Sequence, residues 1–285
     1  MKPLSPEQLQ SLVPMIPIEG GTFQMGATPE QIGAEPDEQP GHIAHVKDYL
    51  LAKYALTFQE YDLFCEATHR PKPHDQGWGR ADRPVINITW YDAIEYCNWL
   101  SQKTGLQPCY IINRSLSDPH NRSLEDFIKW IVIFDQNKNG FRLPTEQEWE
   151  FAARERGHIG LFGANKNAVT LEQYNYNPTE EFPYAESGIY RQQTLPVRSF
   201  QPNSLGLYQM QGNALEWCFN WKEDYPNQNK SYTYPFKGKD DGLYRVCRGG
   251  AWLYSADGMR NSSRFGATPG RTFKTVGLRL ARNPS

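Results

Sequence analysis

FRLPTEQEWEFAAR, residues 141–154, reads as an extended approach that turns sharply into a capped helix. Pro144 pushes the residue before it toward extended backbone. Thr145 carries the hydroxyl of an N-cap, and Glu148 stands three residues on, so the two form a capping box. Trp149, Ala152 and Ala153 recur at helical spacing and form the inner face.

The same signature recurs upstream. Thr57 caps a helix running from Phe58 to about Thr68, with Glu60 three residues past the cap and Phe58, Tyr61, Phe64 and Cys65 on one face. Thr89 caps another, with Asp92 as the third-position acid. Its apolar face is Ile94, Cys97 and Leu100, flanked by Trp90, Ala93 and Tyr96, and Gly105 ends it.

Strand signals surround these helices. They fall at residues 15–18 and 22–25, split by a Gly20–Gly21 turn, and over residues 45–55. Residues 1–14 read as a loose lead-in, and 27–45 as an acidic surface loop ending in surface histidines His42 and His45. Residues 69–84 are a Pro- and Gly-rich loop, and 124–134 fit strand or helix. DQNKNG, residues 135–140, lacks the acid spacing and closing Glu of an EF-hand, so it reads as a turn. Residues 155–204 show little periodicity and read as a long functional or core-packed loop. Short strand islands follow at 206–221, 246–253 and 277–282. No low-complexity linker divides the chain, so residues 15–285 read as one domain.

The 285 residues include 8 Trp, 16 Tyr and 14 Phe beside 23 Gly and 21 Pro, which predicts short elements, many turns and aromatic packing rather than a helical bundle. A net charge of −2 without a basic stripe argues against nucleic acid as a partner. No apolar run approaches the length of a membrane span, and the chain start lacks the apolar region of a signal peptide. The five cysteines, Cys65, Cys97, Cys109, Cys218 and Cys247, form no CxxC pair and read as free, structural thiols.

Six islands in order resemble the formylglycine-generating enzyme (sulfatase-modifying factor) family: residues 16–26 (IPIEGGTFQMG), 51–65, 83–100, 141–154, 206–221, and CRGGAWL with GLRLAR. The resemblance spans nearly the whole chain. It implies an α+β, C-type-lectin fold: a small twisted antiparallel sheet, flanking helices and much irregular backbone. That family oxidises a substrate cysteine with a copper ion held by two cysteines just after the RGG turn. The matching positions here carry Tyr254 and Met259, which cannot supply two thiolates, so the expectation is a protein that is not an enzyme. The alternative is an enzyme of this superfamily with altered metal-dependent oxidase chemistry. Against it, the six histidines show no iron-binding spacing. There is also no G-x-S-x-G elbow of a hydrolase.

Residues 247–282 sharpen the expectation. Between RGGAW and GLRLAR the chain is rich in Ser, Asn, Gly, Thr and Ala, punctuated by Tyr254, Phe265 and Phe273, a paratope-like chemistry. This frame and filling resemble the variable region of diversity-generating-retroelement target proteins. The resemblance implies varied, ligand-binding positions at Leu253, Tyr254, Ser255, Asp257, Gly258, Asn261, Ser263, Phe265, Gly266, Thr272, Phe273 and Thr275. It implies a scaffold of Trp252, Arg260, Arg264, Gly277 and Arg279. Trp252 is expected beneath the surface, with Arg260 and Arg264 bonding backbone carbonyls. The expected partner is a protein ligand or receptor at a cell surface or otherwise outside the cytoplasm. The sugar-binding calcium motif of lectins is absent. No cofactor is required. A structural calcium is implied at Gln209, the carbonyls of Gly212 and Ala214, and Glu216; otherwise Glu216 pairs with an arginine or caps backbone amides while Trp217 and Trp221 pack the core.

Overall fold

The computed structural model describes residues 5–28, 31–225 and 241–284. Most of the expected lead-in folds: α1 (Pro6–Leu12) starts at a Ser5–Gln8 capping box, and Val13 is buried. Residues 1–4 lie outside the described residues.

The strand expected over 45–55 is two strands in two sheets. β1 (Met15–Ile18) and β2 (Gly21–Met25) precede β3 (His42–Val46) and β4 (Tyr49–Ala52). β2 pairs antiparallel with β3, and β1 with β4. The break falls at Lys47–Asp48, where Asp48 accepts a hydrogen bond from the Gly20 amide at 2.8 Å. His42 belongs to the strand and is buried, so it is not a surface histidine.

The three threonine caps are where the sequence places them. Thr57, Thr89 and Thr145 open α2 (Phe58–Thr68), α3 (Trp90–Lys103) and α4 (Glu146–Ala153), each with its complete capping box. After α3, β5 (Tyr110–Ser117) pairs with β6 (Trp130–Phe134). The ambiguous stretch 124–134 is therefore strand only in its second half. Asp126 ties down the turn before it, accepting from the Ile128 amide and the Tyr91 hydroxyl, and leaves Leu124 and Phe127 in solvent.

Two four-stranded sheets organise the rest. β7 (Phe141–Arg142), just ahead of α4, and the late strand β12 (Ala281–Arg282) complete the order β1-β4-β12-β7. The other sheet has the order β10-β9-β8-β11, with β8 (Leu215–Trp221), β9 (Arg245–Arg248), β10 (Arg264–Ala267) and β11 (Val276–Leu278). β11 runs parallel to β8, and the other pairs of that sheet are antiparallel. Trp90, Trp149 and Trp217 are fully buried in the cores where these layers meet. The C-terminal segment thus supplies one edge of its sheet through β10 and the other through β11.

Candidate binding surface of the C-terminal segment

The segment rests on buried charge. Glu146, Glu148 and Glu150 alternate along α4, and all three are buried. Such carboxylates persist in a core only when paired. Arg264 donates to both oxygens of Glu146 at 2.6 and 2.9 Å, and to the Asp37 and Glu223 carbonyls. Arg142 grips Glu148 at 2.7 and 2.8 Å. Glu150 accepts from Arg154, from the Gly26 amide and from Arg248. Arg248 reaches on to the carbonyls of Ser263 and Asn261, so the helix holds the irregular backbone through it. Burial alone would raise the Glu146 carboxyl, but Arg264 and Arg248 outweigh it and hold the group below its usual value.

The expected scaffold residues occupy this frame. Trp252 is buried, with its indole nitrogen donating to the Lys274 carbonyl. Arg264 binds carbonyls as anticipated, whereas Arg260 grips carboxylates instead, those of Glu38 and Asp257. Gly277 leaves no room for a side chain, since a Cβ there would lie 2.2 Å from the Val85 carbonyl oxygen.

Nine of the twelve expected contact positions reach solvent. Leu253, Gly266 and Thr272 are exposed, and Tyr254, Ser255, Asp257, Gly258, Phe265 and Phe273 are half-buried. The Tyr254 and Phe265 rings pack with centroids 4.7 Å apart. Burial raises the Tyr254 phenol, so it stays neutral and acts as a hydrogen-bonding aromatic. Two aromatics outside the segment join the floor: Trp78 meets Trp252 edge-on at 5.1 Å, and Tyr190 stacks on it at 6.1 Å. Both come from aperiodic loops, where no spacing could have placed them.

Three positions, Asn261, Ser263 and Thr275, correct the expectation, because they are buried. Asn261 is fully buried: its oxygen accepts from Gly163 and Gln211, and its amide donates to the carbonyls of Gly160 and Gly163. Ser263 is buried and donates to the Asp257 carbonyl, and Thr275 is buried beneath Tyr254. Asp257 accepts from Arg260 and the Tyr184 hydroxyl. Gly258 is half-buried beside the Tyr254–Phe265 pair, where a Cβ would lie 3.1 Å from the Phe265 ring. Asn261, Ser263 and Thr275 support the surface from the interior.

The side chains implied for calcium are engaged by protein partners. The Glu216 carboxylate is taken by Arg279 and by the Trp149 indole at 2.7 Å. Gln209 turns its oxygen to the Asn213 amide at 2.7 Å. Among the described residues, no group of three or more His, Cys, Asp and Glu is placed to hold a metal ion.

All five cysteines are free and buried, and burial raises every thiol, Cys65 to about 11. Met259 is fully buried, with its sulfur packed against Gly212. Among the described residues, no helix is long and apolar enough to cross a membrane.

The architecture is that of an α+β domain of the C-type-lectin type. Residues 2–284 match the sulfatase-modifying factor enzyme 1-like domain, and the chain belongs to that family. The structure is similar to Treponema denticola variable protein 1, with a TM-score of 0.74 and 30% identity over 95% of both chains. In sequence it is 32% identical over 222 residues to the chaperone protein LppX of Paenibacillus barcinonensis, covering 74% of this chain and 72% of that one. It is 25% identical over 291 residues to the formylglycine-generating enzyme of Thermomonospora curvata, covering 95% and 93%. The chain spans 38% of the length of a chlamydial serine/threonine-protein kinase pkn1 that it also matches.

Proposed function

We propose that this chain is a non-catalytic binding protein, presenting a diversified C-terminal surface to a protein ligand or receptor outside the cytoplasm. One observation carries the reading: Leu253, Tyr254, Ser255, Phe265, Gly266, Thr272 and Phe273 reach solvent over a floor held by buried ion pairs. A surface can change its side chains without losing its shape only when the backbone is fixed from below. The likeness to a variable protein supports the same reading, as does the chemistry of Tyr254 and Met259 at the positions matched to the family's cysteine pair. A phenol and a buried thioether cannot replace two copper-binding thiolates.

The gene tests it. A diversified protein of this kind should lie near a reverse-transcriptase gene and a near-repeat of the segment encoding residues 247–282, differing mainly at adenines. Neither feature in the surrounding sequence would end the diversification reading. Copper or iron at one ion per chain in purified protein would return the reading to an oxidase.

A further inference from the structure

We infer that Arg279 takes the place of a structural cation in this chain, and that the fold holds without calcium. Glu216 lies within β8 and Arg279 just after β11, and both side chains are buried. The guanidinium Nε lies 3.1 and 2.9 Å from the two carboxylate oxygens, and a terminal nitrogen lies 2.8 Å from Oε1. With the Trp149 indole on Oε2, both carboxylate oxygens are engaged by donors.

The same guanidinium donates to the carbonyls of Ala52 at 3.0 Å and Tyr208 at 2.7 Å. Arg279 therefore ties together the end of β4, the approach to β8, and β8 itself, and Glu216 adds α4 through Trp149. Joining such separate segments through oxygen ligands is what a buried calcium does in other proteins. Here the joining charge is covalently part of the chain.

The remaining candidate donors agree. Calcium takes six to eight oxygen ligands. The Gln209 oxygen accepts from Asn213, and the Gly212 carbonyl accepts from the Ala214 amide. A divalent ion on Glu216 would also face the fixed positive charge of Arg279. A chain built this way folds independently of the calcium supply in its surroundings.

The test is thermal unfolding of the full chain in EDTA and in millimolar calcium, with metal analysis of the purified protein. The expected result is the same Tm in both and calcium far below one ion per chain. Calcium at one ion per chain, or a Tm several degrees higher in calcium, would overturn the inference, because a ligand bound only by the folded state raises its stability. Arg279→Gln gives an independent arm: its Tm in EDTA should fall by on the order of 10 °C, as for loss of one partner of a buried ion pair. An unchanged Tm would also overturn the inference. Should Arg279→Gln fail to fold, the calcium comparison on the unsubstituted chain still decides.

Discussion

Arg264 at the start of β10 and Glu146 at the start of α4 form a two-pronged buried ion pair between residues 118 apart in sequence. That pair fastens the edge strand carrying Phe265 and Gly266 to the helix beneath it. Removing one partner leaves a buried charge uncompensated. Arg264→Ala is expected to lower the unfolding free energy by about 3–5 kcal/mol, measured by chemical denaturation. A loss under about 1 kcal/mol, the range of exposed pairs, would show that the pair does not hold the strand.

Gly277 answers to a single close approach. Its Cβ would meet the Val85 carbonyl oxygen at 2.2 Å, against backbone that cannot swing aside as a side chain can. Gly277→Ala should therefore cost at least about 1–3 kcal/mol, the usual range for overpacking, read from the same denaturation curves. A neutral substitution would mean that β11 and the loop before α3 can separate at no cost.

The thiols make a separate prediction. All five are buried with raised pKa values, so a thiol reagent at pH 8 should label none of them quickly in the native protein. All five should react on unfolding. Rapid labelling of any cysteine in the folded chain would contradict the burial described and reopen thiol chemistry.

Glu60 predicts a pH dependence. Burial raises its carboxyl to about 7, despite hydrogen bonds from Thr57. Between an unfolded value of 4.5 and about 7, the folded state holds a proton that the unfolded chain releases. The Glu60 contribution to stability therefore falls as pH rises through that window and stays low above it. Glu60→Gln, a mimic of the protonated acid, should gain on the parent chain by on the order of 1–3 kcal/mol between pH 5 and pH 8. A constant difference between the two proteins across that range would contradict the assignment.

Local features of the fold were legible because their causes are local. Thr57, Thr89 and Thr145 each carry their cap partner three residues on, and each opens a helix. The division of residues 45–55 between two sheets was not legible, because Gly20, far off in sequence, meets the turn at Asp48. In the C-terminal segment, composition pointed to a polar, aromatic surface but could not separate contact from support. Asn261 and Thr272 are both small and polar, yet one is fully hydrogen-bonded in the interior and the other is in solvent. Only the fold tells them apart, since burial depends on Arg248 and the loop at residues 160–163 coming together around Asn261. Trp78 and Tyr190 were missed for a like reason, because they reach Trp252 only through tertiary packing.

The central claim is that the C-terminal segment is a substitutable surface on a fixed support. Its most direct test is the unfolding free energy of two sets of single variants. Leu253→Asn, Ser255→Asn and Thr272→Asn change positions at the surface, and each should stay within about 0.5 kcal/mol of the parent. Asn261→Ser, Ser263→Tyr and Thr275→Tyr change positions beneath it. Each should lose about 1–3 kcal/mol or more, through unpaired buried groups or overpacking. Equal losses in the two sets, or greater losses in the first, would contradict the account.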